Sequence, residues 1–142
     1  MSDFKIKFAT EADRAFCSDV DAELPEALLK EKLRKNELII ATKDNQPVGY
    51  LRLEYLWHKV PFIGLIYVLR EYRGQGCGKE ILHFLEGYLK LKGHSFLLSS
   101  SQADESAPQH WHRSSGFHEC GIISALNDGG IGEIFFRKDF NG

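Results

Sequence analysis

Arg73-Gly74-Gln75-Gly76-Cys77-Gly78-Lys79 lies between an apolar run, 62–69, and a helix-like one, 81–91. Strand, glycine-rich turn and helix in that order turn backbone N–H groups toward a phosphate. The first amides of a helix have no intrahelical acceptor, and its dipole places partial positive charge at that end. Glycine removes the Cβ that would hold an anion away and permits the positive φ such a turn needs. Arg73 and Lys79 add cationic donors on either side. The stretch is therefore expected to hold an anion, with a diphosphate the best fit.

Two familiar phosphate motifs do not fit. Glycines at 74, 76 and 78 alternate, so G-x-G-x-x-G is absent, and Lys79 is followed by Glu80 where a P-loop needs Ser or Thr for magnesium. The spacing R-x-x-G-x-G, carried by Arg73, Gly76 and Gly78, does fit. It resembles the pyrophosphate loop of the acetyl-CoA-dependent N-acetyltransferases of the GNAT superfamily. The longer block Tyr67-Val68-Leu69-Arg70-Glu71-Tyr72-Arg73-Gly74-Gln75-Gly76 is similar to that family's strand-into-helix segment. The resemblance implies acetyl-CoA as co-substrate, held by Val68, Leu69, Arg70, Arg73, Gly74, Gln75, Gly76, Cys77, Gly78 and Lys79.

Composition sets the outer bounds. A chain of 142 residues is expected to form one domain, 1–142, burying about two-thirds of its unfolded surface. Its hydrophobic content of 43% and charged content of 27% are those of an ordinary soluble protein. A net charge of −2 argues against nucleic acid as partner. No apolar stretch reaches membrane-span length, and Met1-Ser2-Asp3-Phe4-Lys5 lacks a signal-peptide layout. Cys17, Cys77 and Cys120 are an odd number of cysteines, read as free thiols of a cytoplasmic protein with no metal site.

The rest of the chain divides into short elements without a linker. Alternation over 4–8 predicts a strand, and Thr10 an N-cap for a helix reaching about Val20. Pro25 opens a second helix to about Lys35. Strands are expected over 38–42 and 48–53, about a turn at 43–47, then a long strand over 62–68. The motif helix runs from Gly76 to about Lys92, with Gly93 as its C-cap. A buried strand over 96–100, a helix over 108–114 and two strands over 117–126 and 131–138 complete the chain. The order β-α-α-β-β-β-α-β-α-β-β predicts an α+β fold with a mixed, largely antiparallel central sheet flanked by helices. It is also the GNAT order, so the resemblance covers nearly the whole chain.

Members of that family usually carry a later segment N-x-x-A-x-x-x-Y-x-x-x-G-F. Gly116-Phe117 supplies its end here, and counting back puts His112 at the tyrosine, Pro108 at the alanine and Glu105 at the asparagine. The family tyrosine commonly protonates the departing thiolate. An imidazole, roughly a quarter protonated at pH 7 at its ordinary pKa, can do the same work. The asparagine's contact to the pantetheine arm is lost, with Ser99, Ser100, Ser101 and Gln102 as open replacements. His110 and His112 form an H-x-H pair without a third ligand of known spacing, so no metal is expected.

Acetyl transfer needs a neutral amine, so a general base must remove a proton. Glu54, late on the third strand, is the first candidate, with His58 and Glu71 as alternatives. The resemblance makes the Val68 backbone N–H the oxyanion donor, and implies that backbone over 68–70 pairs with the pantetheine amides. Cys77, at the variable x of the motif, is expected to pack rather than attack. The acceptor is an amine, with a small molecule favoured over a protein. Six acidic residues against the single basic Arg14 between 11 and 26 would attract a cation, though an ordinary solvated helix face reads the same way. Two rival functions stay open: a catalytically inactive CoA-binding regulatory protein of the same fold, and a binder of another phosphorylated ligand. The last two strands are a candidate homodimer edge.

Overall fold

The computed structural model describes residues 3–140, so Met1 and Ser2, part of the N-terminal reading above, lie outside it. Among the described residues, seven strands and four α-helices appear in the expected order. They are β1 (Lys5–Phe8), α1 (Arg14–Val20), α2 (Glu26–Arg34), β2 (Leu38–Lys43), β3 (Gln46–Leu56) and β4 (Val60–Val68). After these come α3 (Cys77–Leu91), β5 (Phe96–Gln102), α4 (Ser106–Ser114), β6 (His118–Ile123) and β7 (Glu133–Asp139). The strands are hydrogen-bonded in the order β1-β2-β3-β4-β5-β7-β6, with β4 and β5 parallel and β1–β2, β2–β3, β5–β7 and β6–β7 antiparallel. The expected α+β class with a largely antiparallel sheet is the observed one.

Several boundaries differ, each for a local reason. The segment ahead of α1 is a 3₁₀ turn over Glu11–Asp13, and Asp13 accepts from the Thr10 N–H at 2.8 Å. Asp13 thus caps backward, tightening the turn before the α-helix begins. The β3–β4 hairpin is longer than expected because its tight turn is made by Trp57 and His58, both at positive φ, 53° and 60°. Trp57 disfavours that conformation and His58 only tolerates it, and with no Gly, Asn or Asp at the tip the composition hides the turn. Asp44 and Asn45, at φ 50° and 64°, make the β2–β3 turn from residues that do favour it. The last hairpin is shorter than expected, since a 3₁₀ turn, Asp128–Gly130, takes up its tip.

Backbone contacts divide the described residues into two compact units. The first comprises residues up to Glu54 together with Gly64–Tyr88. In it, Ala9, Cys17, Leu29, Leu33, Leu38, Ile40 and Tyr50 form a core between α1, α2 and the β2–β3 ladder. Alternation along β3 sends Gly49 to the opposite face, where α3 packs. A Cβ at Gly49 would stand 2.9 Å from Ile81 Cδ1 and 3.1 Å from Cys77 Sγ, so only glycine lets the helix lie so close. Helix α3 ends at Gly93, φ 91°, whose N–H bonds Lys90 O while the His94 N–H reaches Leu89 O.

The second unit comprises Tyr55–Ile63 and the chain from Leu89 onward. Strand β5 alternates, with Leu97, Ser99 and Ser101 buried. Phe136 of β7 is fully buried, and Phe62 meets Leu98 in the parallel register while its ring approaches Phe135 at 5.8 Å. Strand β6 is exposed along its whole length.

Gly49→Val should destabilise the fold by about 1–3 kcal/mol, because its side chain must enter a packed helix–sheet contact. Urea unfolding measures this, and an unchanged midpoint would show that α3 does not press on β3 there.

Candidate active site

Strand β4 leads into the glycine turn through a 3₁₀ turn, Arg70–Tyr72. Its end is fixed by the Leu69 N–H, which bonds Val48 O at 2.8 Å. Gly74 and Gly76 take φ 75° and 85°, and a Cβ built on either would meet nothing within 4 Å. These two positions need glycine for conformation, and the space beside them is open. Gly78 lies instead within the first turn of α3. The first bond of that helix runs from the Glu80 N–H to Gly76 O at 3.1 Å, so the amides of Cys77, Gly78 and Lys79 precede it.

The side chains around the turn are ordered by the chain itself. Arg73 Nε donates to Val68 O at 2.7 Å, and its guanidinium lies 5.2 Å from the centroid of the Tyr67 ring. Gln75 donates to Glu71 O at 3.2 Å. Arg70, Arg73 and Lys79 are all exposed, as is Glu71, whereas Val68 and Leu69 are half-buried. Cys77 is the exception: it is buried against Gly49, and burial pushes its thiol up to about 11. A thiol so raised is a packing group, as its place in the motif implied. This set suits a diphosphate: open, Cβ-free backbone, uncommitted helix amides and cations within one turn.

Glu54 occupies a different setting. Its carboxylate is paired with Lys32 Nζ at 2.9 Å and with Arg52 Nη1. Lys32 also donates to Leu53 O at 2.7 Å and pairs with Glu37 at 3.0 Å. Arg52 Nε donates to buried Asp21 at 2.7 Å, and the Tyr50 hydroxyl donates to the same carboxylate oxygen at 2.7 Å. Burial pushes Glu54 up, but Lys32 and Arg52 outweigh it and hold the carboxyl below its usual range. In this arrangement Glu54 is a counter-ion, and it must leave at least one cation before it can take a proton. The sequence reading missed this network, whose only signal was the period-two spacing of Tyr50, Arg52 and Glu54. The alternative His58 is exposed at the β3–β4 turn.

His112 is buried on α4 and stacked flat on Phe136, with ring centroids 4.4 Å apart. One ring nitrogen, Nδ1, lies 2.8 Å from Pro108 O, and a carbonyl only accepts, so Nδ1 carries the proton. Nε2 therefore accepts from the Ser99 hydroxyl at 2.7 Å. Burial drives the pKa down to about 4, against the pull of the Pro108 carbonyl and Glu133. Thus the imidazole is neutral at pH 7 with Nε2 unprotonated. A group in that state fastens α4 to β5 and has no proton on Nε2 to give. Among the described residues no cluster of metal-ligating side chains occurs, and no helix is long and apolar enough to cross a membrane.

The arrangement is that of the acetyltransferases. Residues 6–117 match the Acetyltransferase (GNAT) family, and the chain belongs to it. The fold is similar to that of Ard1 from Thermoplasma volcanium, at 13% identity and TM-score 0.84, covering 99% of this chain and 100% of that one. It is also similar to a ribosomal-protein-alanine N-acetyltransferase from Brucella melitensis, at 22% identity and TM-score 0.78, covering 96% and 99%. A third likeness is to a protein from Bacillus anthracis described as a streptothricin acetyltransferase and solved with acetyl coenzyme A. There identity is 21% and TM-score 0.69, covering 73% of this chain and 62% of that one. No curated protein matches.

Burial of neutral His112 makes stability depend on pH with a definite sign. Its folded pKa, about 4, lies below the ordinary 6.5, so the unfolded chain binds the extra proton. The contribution is intact above pH 6.5 and is lost as pH falls toward 4, by at most about 3 kcal/mol. Urea midpoints between pH 7 and 4 should show this loss in wild type and less of it in His112→Gln. Equal slopes in the two proteins would mean that His112 protonates freely when folded.

Proposed function

We propose that this protein is an N-acetyltransferase that moves the acetyl group of acetyl-CoA to a primary amine by direct attack within a ternary complex. The observation that carries the reading is the open turn at Gly74 and Gly76, running into the uncommitted amides of α3 between Arg73 and Lys79. In this reading residues 73–79 hold the diphosphate of the co-substrate, which supplies the activated acetyl thioester. Backbone at Val68, Leu69 and Arg70 pairs with its amide-bearing arm, and the Val68 N–H is the oxyanion donor. Arg73 can keep its Nε bond to Val68 O while its other guanidinium N–H donors face the diphosphate. The chain acts as one acetyltransferase domain in the cytoplasm, on a small-molecule amine in preference to a protein. The family match, from 6 to 117, supports the single-domain reading by running through segments of both compact units.

Glu54 serves as base only after release from Lys32 or Arg52, and His112 acts as general acid only if its ring is first protonated. These two conditions favour a second reading, a CoA-binding regulatory protein without turnover. Thermal unfolding with and without acetyl-CoA, on wild type and Gly76→Glu, tests what both readings share. Ligand at a hundred times its Kd adds about 2.7 kcal/mol, a shift of several degrees at this size. We expect it in wild type and not in the variant, whose carboxylate sits at a positive-φ position of the turn. No shift in folded wild type would refute both. Release of free CoA on addition of amines then separates enzyme from sensor.

A further inference from the structure

Strand β7 opens on Glu133, a half-buried carboxylate to which the acetyl-CoA reading gives no task. Its Oε2 accepts from the Ser100 hydroxyl at 2.6 Å, and its Oε1 from the Asn127 side-chain amide at 2.9 Å. Asn127 is itself set by the last turn, its backbone N–H bonding Ile131 O at 2.9 Å. Both donors to the carboxylate are neutral. In register, Glu133 stands between Gln102 of β5 and Ile123 of β6, which are neutral too. Other partly buried carboxylates are held differently: Asp13 pairs with Lys7, Asp21 with Arg52, Glu37 with Lys32, and Glu54 with both Lys32 and Arg52. Among the described residues no Lys or Arg pairs with Glu133. Withdrawing a carboxylate from water costs free energy that neutral donors return only in part, and a cationic donor returns more. The chain orients this carboxylate and does not neutralise it.

What stands beside Glu133 narrows the kind of cation. Ser100 lies directly opposite Phe135, so the Phe135 ring and the Glu133 carboxylate share one face of the sheet. The Phe62 ring is 5.8 Å from that of Phe135. Helix α4 covers the other face, where His112 meets Ser99 and Phe136. Phe62, Ser100, Phe135 and Glu133 are all half-buried and all belong to the second compact unit, so solvent reaches the face they share. A hard divalent cation takes about six oxygens, which one carboxylate beside two phenyl rings does not supply. An alkylammonium matches both parts. Ser100 and Asn127 leave a lone pair on each carboxylate oxygen for its N–H groups, and its chain can lie on the rings. We propose that Glu133, Phe135 and Phe62 bind the ammonium end of a protonated primary alkylamine. Resting on the acetyl-CoA reading, the inference makes this amine the acceptor, and Glu133 the residue that selects it for charge before its proton is lost.

NMR titration of ¹⁵N-labelled protein at pH 7 tests the site without any co-substrate. The probes are n-butylammonium chloride and n-butanol, a neutral molecule of the same length, at matched ionic strength. Butylammonium should give saturable shifts in the Asn127 side-chain amide and in the Ser100 and Glu133 N–H signals, and butanol should not. Glu133→Gln keeps the shape and removes the charge; it should weaken butylammonium about three- to tenfold while acetyl-CoA binds as in wild type. Equal shifts with both probes, no saturable shift at Asn127, or equal butylammonium affinity in wild type and Glu133→Gln would each overturn the assignment. The first two of these need wild type alone, so a variant that fails to fold does not rescue it. Acetyl-CoA titrated into wild type is read separately. If it does not bind, the acetyl-CoA reading falls, and the acceptor role with it; if it binds and butylammonium does not, this inference alone falls.

Discussion

The approach of α3 to β3 at Gly49 sets the position of everything that follows it in the motif. An added Cβ there would meet both Ile81 and Cys77, residues of the first and second turns of the helix. Those turns carry the uncommitted amides. Their height above the sheet depends on a missing side chain on another strand, against which the motif's own Cys77 packs. Cys77 is buried as part of the same contact, which is why a thiol at a helix N-terminus has its pKa raised and not lowered. Dipole and desolvation act on it in opposite directions, and burial wins.

The glycine turn was readable in the sequence because its chemistry is local. Gly74 and Gly76 must be glycine for φ alone, and Arg73 and Lys79 follow the turn whatever the rest of the chain does. The order of elements along the chain was legible for a similar reason, each element having its own period and punctuation. The β3–β4 turn was not, because Trp57 and His58 occupy positive φ without the residues that announce it, whereas Asp44-Asn45 announced theirs.

The state of the candidate catalytic side chains was not legible at all, since it is decided by residues remote in sequence. His112 could be placed by counting back from Gly116-Phe117, but its tautomer depends on Pro108 O and Ser99, and its charge on burial against Phe136. Glu54 could be placed on a strand, but Lys32 and Arg52 fix what it does there. Position was a property of spacing, and protonation a property of packing.

A division of labour explains why these two kinds of residue behave so differently. In the proposed reading cofactor recognition at the turn falls to backbone groups, and backbone geometry survives wide sequence change, as identities of 13% and 22% at TM-scores of 0.84 and 0.78 illustrate. Proton transfer needs particular side chains in particular ionisation states. In this chain the two side chains in question are committed elsewhere: Glu54 neutralises two cations, and His112 joins a helix to a strand. Freeing Glu54 would leave Lys32, itself largely buried, short of one of its two carboxylates, at a cost comparable to breaking a buried pair. Such a change leaves Lys32 to Glu37 and the Leu53 carbonyl, and an incoming ammonium, itself a cation, adds to the charge those groups must offset. If Glu54 is the base, the acceptor's positive charge therefore opposes the freeing of Glu54 from Lys32, so charge, and not shape alone, enters selection with an unfavourable sign at this pair.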